Sequence, residues 1–555
     1  MKNKKGALSW ILRSSGHQLF NIIFLAVVYG FNAFIGVYNT IYAKELVNAA
    51  TLSKDMNSVV YYGAMYLGVT VVQLITLVLA RNLIFKVSTK VEIYMKSQLF
   101  SHIMKKDFAA ISSYHSGELM NRLTSDIGVV SSAITTIVPN VVFFIVKLIG
   151  IFWILISIDI IFALVFAVGG ALVFFAASLF KPITKRMHKD VQEREGKVKS
   201  FMQEGLSSLL MVKTFDAQDK MTATADELQE DSYKARRKRN IFTIITGTAM
   251  STVFSFAFVW GLGWGAYMLY YNLITYGVLM QIITLVGQIR TPIQGISNIF
   301  PTYFTALASA ERIMEIEQIP DEEELHSDED IAALYEHMNE IHVDDVTFAY
   351  DGEDVLSHAS LTVHKGEFIA IEGISGIGKS TLFKLLLSVY KPSGGEIRVI
   401  TDSDSYVVDK SLRKLFSYVP QGNFLLSGTL RENIAFVAPN ASEEDIMRAA
   451  AIACADEFIS ELPHGLDSRI AERGAGLSEG QVQRIAIARA LLSGSPIILL
   501  DEATSALDEE TEAKLLKNLR SMKDITCIII SHKKAAEQIC DKIVTIEDKK
   551  IVVKK

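Results

Sequence analysis

The first 300 residues alternate long apolar stretches with long polar ones. At 1.5 Å of rise per helical residue, about 20 apolar residues cross a 30 Å hydrocarbon core. Six stretches reach that length, at residues 19–40, 59–84, 135–157, 159–180, 243–270 and 273–300. The third and fourth are separated only by Ser157, Ile158 and Asp159, which predicts a tight helical hairpin. The polar connections after the second and fourth stretches run for roughly 50 and 60 residues, too long for structureless loops. Their helical periodicity predicts that the apolar helices continue well beyond the bilayer. Short crosswise helices are expected at residues 116–126 and 210–220, as surfaces offered to a soluble domain.

Basic residues set the expected orientation. Lys2, Lys4, Lys5 and Arg13 precede the first stretch, Arg81 to Lys106 follow the second, and a block from Lys234 to Arg239 precedes the fifth. The turns after the third and fifth stretches have no Lys or Arg, and the turn after the first has only Lys44 and Lys54. Both termini are therefore expected in the cytoplasm of a multi-pass cell-membrane protein. The first stretch lacks a small-residue cleavage pattern and is expected to be retained.

From residue 341 the pattern changes to strands, glycine turns and amphipathic helices, as expected of an α/β domain. The resulting division is a transmembrane domain at 1–315, an acidic linker at 316–340 and an α/β domain at 341–555. Half of the 555 residues are hydrophobic and 21% are charged, with a mean hydropathy of +0.29. That composition fits a membrane part joined to a soluble part and excludes a disordered chain. The net charge of −6 gives no reason to expect nucleic acid as a partner. Cys454, Cys527 and Cys540 have neither disulfide-framework nor zinc-ligand spacing.

The segment GISGIGKS, residues 373–380, matches G-x-x-x-x-G-K-[ST]. It follows an apolar strand-like run and precedes an amphipathic segment, the order that lets backbone N–H groups and a helix N-terminus surround phosphate oxygens. Lys379 is placed to bridge β and γ phosphates, and Ser380 to coordinate Mg²⁺. In IILLDE, residues 497–502, four apolar residues end in two carboxylates, as at the C-terminal end of a buried parallel strand. Asp501 is the expected Mg²⁺ ligand and Glu502 the expected general base.

Further motifs carry a family resemblance. LSEGQVQRIAIARAL at 477–491 resembles the signature sequence of ATP-binding cassette (ABC) proteins; SALD at 505–508 resembles their D-loop, and His532 their switch histidine. Gln421 in YVPQ resembles the Q-loop, Tyr350 the aromatic that stacks on adenine, and AERG at 471–474 the X-loop of exporters. GELMNRLTSD at 117–126 looks like the first coupling region. With six stretches ahead of one cassette, the whole chain resembles an ABC exporter half-transporter: an all-α six-helix transmembrane domain followed by an α/β P-loop domain.

The resemblance implies an ATPase that moves substances across the membrane by alternating access, with ATP and Mg²⁺ as cofactors. It implies nucleotide contacts from Tyr350, Gly373, Ser375, Gly376, Gly378, Lys379, Ser380, Thr381, Gln421, Ser478, Gly480, Gln481 and Asp508. Metal contacts fall to Ser380, Gln421 and Asp501, and catalysis to Glu502 and His532. Because the signature loop meets the nucleotide of the other subunit, a second half-transporter is required. A homodimer is the simplest partner; a heterodimer with a degenerate sister chain, or an ATP-gated sensor or channel, are the alternatives. One departure is Glu479, where the family form LSGGQ has its first glycine.

In the membrane half, Lys147 lies in mid-span, suited either to an anionic group on a substrate or to pairing within the protein. Asp159 is expected to be solvated, Gln281, Gln288 and Arg290 to line the pathway, and GLGWGAY at 261–267 to mark close helix packing.

Overall fold

The computed structural model describes residues 2–326, 330–350, 352–374, 376–422, 425–471, 476–522 and 524–554. It gives backbone alone at 2–5, 17, 172–174, 176–179, 181 and 297–298. The chain forms two compact units, one of residues 1–102 and 116–318, the other of 103–115 and 319–555.

The helical unit contains α1 (Lys2–Ser14), α2 (Leu19–Asn48) and α3 (Met56–Ile103), the last ending one residue into the second unit. The short helices α4 (Phe108–Ser112) and α5 (Ser116–Asn121) follow, then α6 (Ile127–Ile158), α7 (Ile160–Ser207), α8 (Leu209–Thr214), α9 (Gln218–Tyr270) and α10 (Tyr276–Glu317). The six apolar stretches fall on α2, α3, α6, α7, α9 and α10. Among the described residues, the helices at Leu19–Ser53, Met56–Ile103, Ser116–Ile158 and Gln218–Tyr270 are long and apolar enough to cross a membrane. On α7 the fourth stretch runs into residues without described side chains, and on α10 the sixth is broken by Gln281, Gln288, Arg290 and Pro292.

Three expectations for this unit change. The short helix that belongs to the cassette unit is α4, not the 116–126 segment. The latter instead serves an internal charge cluster, because Arg122 and Asp126 are buried. Arg122 donates to Glu118 at 2.6 Å, to Glu315 at 3.1 Å and to the Arg312 carbonyl, while Arg312 donates to both oxygens of Asp126, from Nε at 2.9 Å. Asp159 is not merely solvated: it caps α7 by accepting from Ile161 N at 2.8 Å and accepts from Trp264 Nε1 at 3.2 Å. Gln281 does not line a pathway; it is buried and donates to Thr40 on α2 at 3.3 Å.

The glycine-rich segment on α9 does permit close packing, since a Cβ at Gly265 would lie 2.6 Å from Leu279 of α10. Lys147 is half-buried over the Phe143 ring at 5.4 Å, with no carboxylate partner among the described residues. Removing one partner of a buried ion pair costs about 3 to 5 kcal/mol. Arg312→Ala, which leaves the buried Asp126 carboxylate without its cation, is therefore expected to destabilise the helical unit by about 3 kcal/mol, read as a lower denaturation midpoint of the solubilised protein.

In the second unit, β1 (Met338–Tyr350), β2 (Glu353–His364), β4 (Gly394–Thr401) and β5 (Ser405–Val407) form an antiparallel sheet in the order β2-β1-β4-β5. The second sheet comprises β3 (Phe368–Glu372), β6 (Phe416–Val419), β9 (Ile497–Asp501), β10 (Thr526–Ile530), β11 (Lys542–Glu547) and β12 (Lys550–Val553). Its order is β12-β11-β3-β10-β9-β6, parallel except at the β11–β12 edge. A two-residue pair, β7 (Gly428–Thr429) with β8 (Arg469–Ile470), lies outside both. Strands β9 and β10 are buried throughout, which explains their unbroken apolar sequences.

The acidic stretch after α10 is stapled to basic residues of this unit. Glu322 takes Arg413 through both oxygens at 3.2 Å, Glu323 pairs with Lys391 and Glu324 with Lys410. Residues 103–115 join the same surface: Lys106 pairs with Asp321 at 2.8 Å, and the Phe108 ring meets Tyr390 edge-on at 6.0 Å.

Candidate functional site

The parallel sheet delivers its loops to one end. After β3 the chain turns at Gly373, Gly376 and Gly378 into α11 (Lys379–Leu386). Gly378 has φ +110°, and a Cβ there would stand 2.8 Å from Val355. Only glycine fits that position without strain. Ser375 and residues 472–475, which include most of the AERG segment, lie outside the described residues.

Lys379, 4% exposed, folds back on its own loop. Its Nζ donates to the carbonyls of Gly373 and Ile374 and lies 3.1 Å from His532 Nε2. Burial lowers its pKa, opposed by the charges of Glu502 and Asp501. The next residue, Ser380, donates from Oγ to Asp501 Oδ1 at 2.9 Å. Tyr418 OH donates to the other oxygen at 3.0 Å, a contact the sequence reading missed although Tyr418 stands inside YVPQ. Asp501 ends β9 at 2% exposure, and burial pushes its carboxyl pKa up against the two hydroxyl bonds. Burial likewise raises that of Tyr418, with Asp501 adding to it.

Glu502 has φ +49°, a conformation non-glycine residues rarely adopt and one that concentrates at functional sites. Its Oε2 accepts from Gln421 Nε2 at 2.6 Å. Lys379, Ser380, Gln421, Asp501, Glu502 and His532 thus form one connected cluster.

Tyr350 ends β1 in an aromatic group, edge-on to Phe348 at 4.9 Å and to Tyr390 at 5.4 Å. Tyr390 is also the ring that Phe108 meets. Ser478 caps α12 (Glu479–Leu492) in a capping box with Gln481. Gly480 sits against the chain at 505–508, since a Cβ would lie 2.9 Å from the Ala506 carbonyl. Gln483, also unforeseen, binds this contact by donating to Ser505 Oγ at 2.9 Å and accepting from Ala506 N at 3.1 Å. Asp508 caps α13 (Glu509–Ser521), accepting from Thr511 N at 2.9 Å. Thr381 is buried in the first turn of α11.

Residues 19–293 match the family model of the ABC transporter transmembrane region, and residues 356–505 match that of the ABC transporter. The ATP-dependent lipid A-core flippase of Desulfotalea psychrophila is 32% identical, across 82% of this chain and 79% of its own. The chain belongs to the ABC transporter family.

Another ABC transporter relative, the ATP-binding protein YfiC of Bacillus subtilis, is 28% identical over 100% of this chain and 92% of its own. A bacterial Atm1-family ABC exporter solved with ATP bound shares the fold at TM-score 0.77 and 22% identity, covering 98% of this chain and 94% of that one. The chain has the make-up of an exporter half-transporter, one helical membrane region fused to one α/β cassette. Its departure from the ABC signature, Glu479, lies exposed in the first turn of α12, where the helix N-terminus favours a carboxylate.

Proposed function

We propose that the chain is an ATP-hydrolysing exporter half that works as a dimer of two copies, with both termini and the cassette in the cytoplasm. What carries the reading is the connected cluster of Lys379, Ser380, Gln421, Asp501, Glu502 and His532 at the C-terminal ends of the parallel strands. That is where α/β sheets bind ligands.

ATP is the substrate in this reading. The backbone N–H groups from Gly373 through Gly376 and Gly378 to Thr381 cradle its phosphates, with Ser375 in the same loop, and Tyr350 carries the adenine. Nζ of Lys379 exchanges the two loop carbonyls for β and γ phosphate oxygens. Ser380, Gln421 and Asp501 offer a hydroxyl, an amide and a carboxylate, hard oxygen donors suited to Mg²⁺. The raised pKa of Asp501 fits a cation neighbour, since a positive charge there offsets the cost of burying the carboxylate. When bound, Mg²⁺ neutralises phosphate charge.

Glu502 takes the proton of the attacking water. Gln421 holds its Oε2 and leaves Oε1 for that proton. His532 turns from Lys379 to the γ phosphate. Ser478, Gly480 and Gln481 of each copy close on the nucleotide of the other, and Asp508 lies beside that seam. Closure and release of the two cassettes then bias the helical units between inward and outward access. Residues 103–115, continuous with α3 and packed against the Tyr390 aromatic group, provide a connection along the chain.

The test is hydrolysis by purified chain in proteoliposomes. The reading expects Mg²⁺-dependent phosphate release that chelation stops. ATP binding without hydrolysis, in a preparation shown to be dimeric, would overturn it. Asp501→Asn probes the metal position separately. Because the folded protein holds the Asp501 proton more tightly than the unfolded chain does, this group's contribution to stability falls as pH rises above the ordinary carboxylate range. At neutral pH, Asp501→Asn is expected to raise the Tm of the nucleotide-free protein and to abolish the extra Tm gain that Mg²⁺ adds to ATP.

A further inference from the structure

Within the helical unit, α7, α9 and α10 line a half-open groove of about 600 Å³ whose walls include Phe166, Gly170, Phe254, Trp260, Gly287 and Arg290. Its volume is in the range of small-ligand sites. Its lining side chains are apolar apart from the hydroxyl of Ser255, the indole N–H of Trp260 and the guanidinium of Arg290. Arg290 donates to Ser251 Oγ at 3.1 Å and stands 6.0 Å from the centre of the Phe254 ring. Among the described residues no carboxylate pairs with it. A cation facing apolar walls with most of its donors free is complementary to an anion carried on an apolar body.

Depth along the helices sharpens the choice. Helices α9 and α10 are joined by the turn at 271–275, which has no Lys or Arg. Measured from that turn at 1.5 Å per residue, Trp260 lies about 15 Å down α9, Arg290 about 21 Å down α10 and Ser251 about 29 Å down α9. In a core about 30 Å thick, Trp260 is near the midplane and the Arg290–Ser251 pair approaches the opposite interface. With the orientation proposed above, that is the cytoplasmic leaflet. An amphiphile seated here places its chain against Phe166 and Trp260 and its head at Arg290.

We infer that this groove is a binding site for an anionic phospholipid of the cytoplasmic leaflet, with Arg290 taking the headgroup phosphate and the glycines of α7 and α10 making room for an acyl chain. A Cβ at Gly287 meets no atom within 4 Å, as is also true of Gly169 one residue before Gly170. A larger side chain at Gly287 therefore enters the groove without disturbing the helices. The site rests on the proposed orientation but not on ATP turnover.

The test uses the full chain in phosphatidylcholine nanodiscs without nucleotide. The probes are trace phosphatidylglycerol or phosphatidylcholine with a photoactivatable acyl chain, and labelled peptides are mapped by mass spectrometry. The expected result is labelling of 253–260 and 286–293 about tenfold greater by the anionic probe, as one charge-assisted contact implies. Arg290→Gln should bring the two probes level, and Gly287→Leu should suppress both while leaving labelling elsewhere unchanged. Equal labelling by both probes in the unmutated protein, or an anionic preference that survives Arg290→Gln, would overturn the assignment. Either failure leaves the ATP-driven reading standing, because no hydrolysis is measured; loss of hydrolysis would in turn leave this labelling intact.

Discussion

Glu502→Gln is expected to bind ATP with unchanged affinity and to lose at least about a hundredfold in turnover, the scale of a general base. The substitution is nearly isosteric. Its amide oxygen can still accept from Gln421 Nε2, which at 2.6 Å holds one oxygen of Glu502, so the local arrangement survives. What disappears is the proton acceptor. Nucleotide binding by calorimetry, with phosphate release from the same preparation, separates the two quantities. Near-wild-type hydrolysis would refute the base assignment whatever the affinity.

Lys379→Ala is expected to act on the other quantity, weakening ATP binding about ten- to hundredfold, as losing a charge-assisted contact to phosphate implies. In the structure the ammonium is bound to the Gly373 and Ile374 carbonyls and to His532. It therefore holds the loop as well as meeting the ligand, and alanine should loosen the loop too. Unchanged affinity would contradict the phosphate role. Loss of hydrolysis at unchanged affinity would move Lys379 from binding to chemistry.

The phosphate loop, the carboxylates after β9 and the signature segment were legible because each is local. A strand, a turn and a helix follow within about ten residues, so residue order alone fixes the backbone that presents Ser380, Asp501 or Ser478. Contacts between distant segments were not legible. Nothing in the sequence near Lys379 indicates that its ammonium rests on His532, and Tyr418 was passed over because its partner Asp501 lies on the next strand. The charge cluster joining Arg122 to Glu315 and Asp126 to Arg312 links residues 193 and 186 positions apart in the sequence. Read locally, those residues look like an amphipathic surface, and the burial of Arg122 and Asp126 depends on partners on α10 that lie far off in the sequence.

Asp159 and Gln281 follow the same pattern. Each has a polar partner, Trp264 and Thr40 respectively, on a helix that periodicity cannot orient. Glu502 is different: its positive φ leaves no trace in residue type, and only its place after a buried strand marks it.

The most direct measurement of the composite site compares nanodiscs sized to hold one chain with nanodiscs holding two, each checked by mass, for ATP hydrolysis per chain. If each nucleotide needs Ser478 and Gly480 from a second copy, hydrolysis belongs to the two-chain discs and the one-chain discs bind ATP without turning it over. Equal turnover per chain in both would contradict the account.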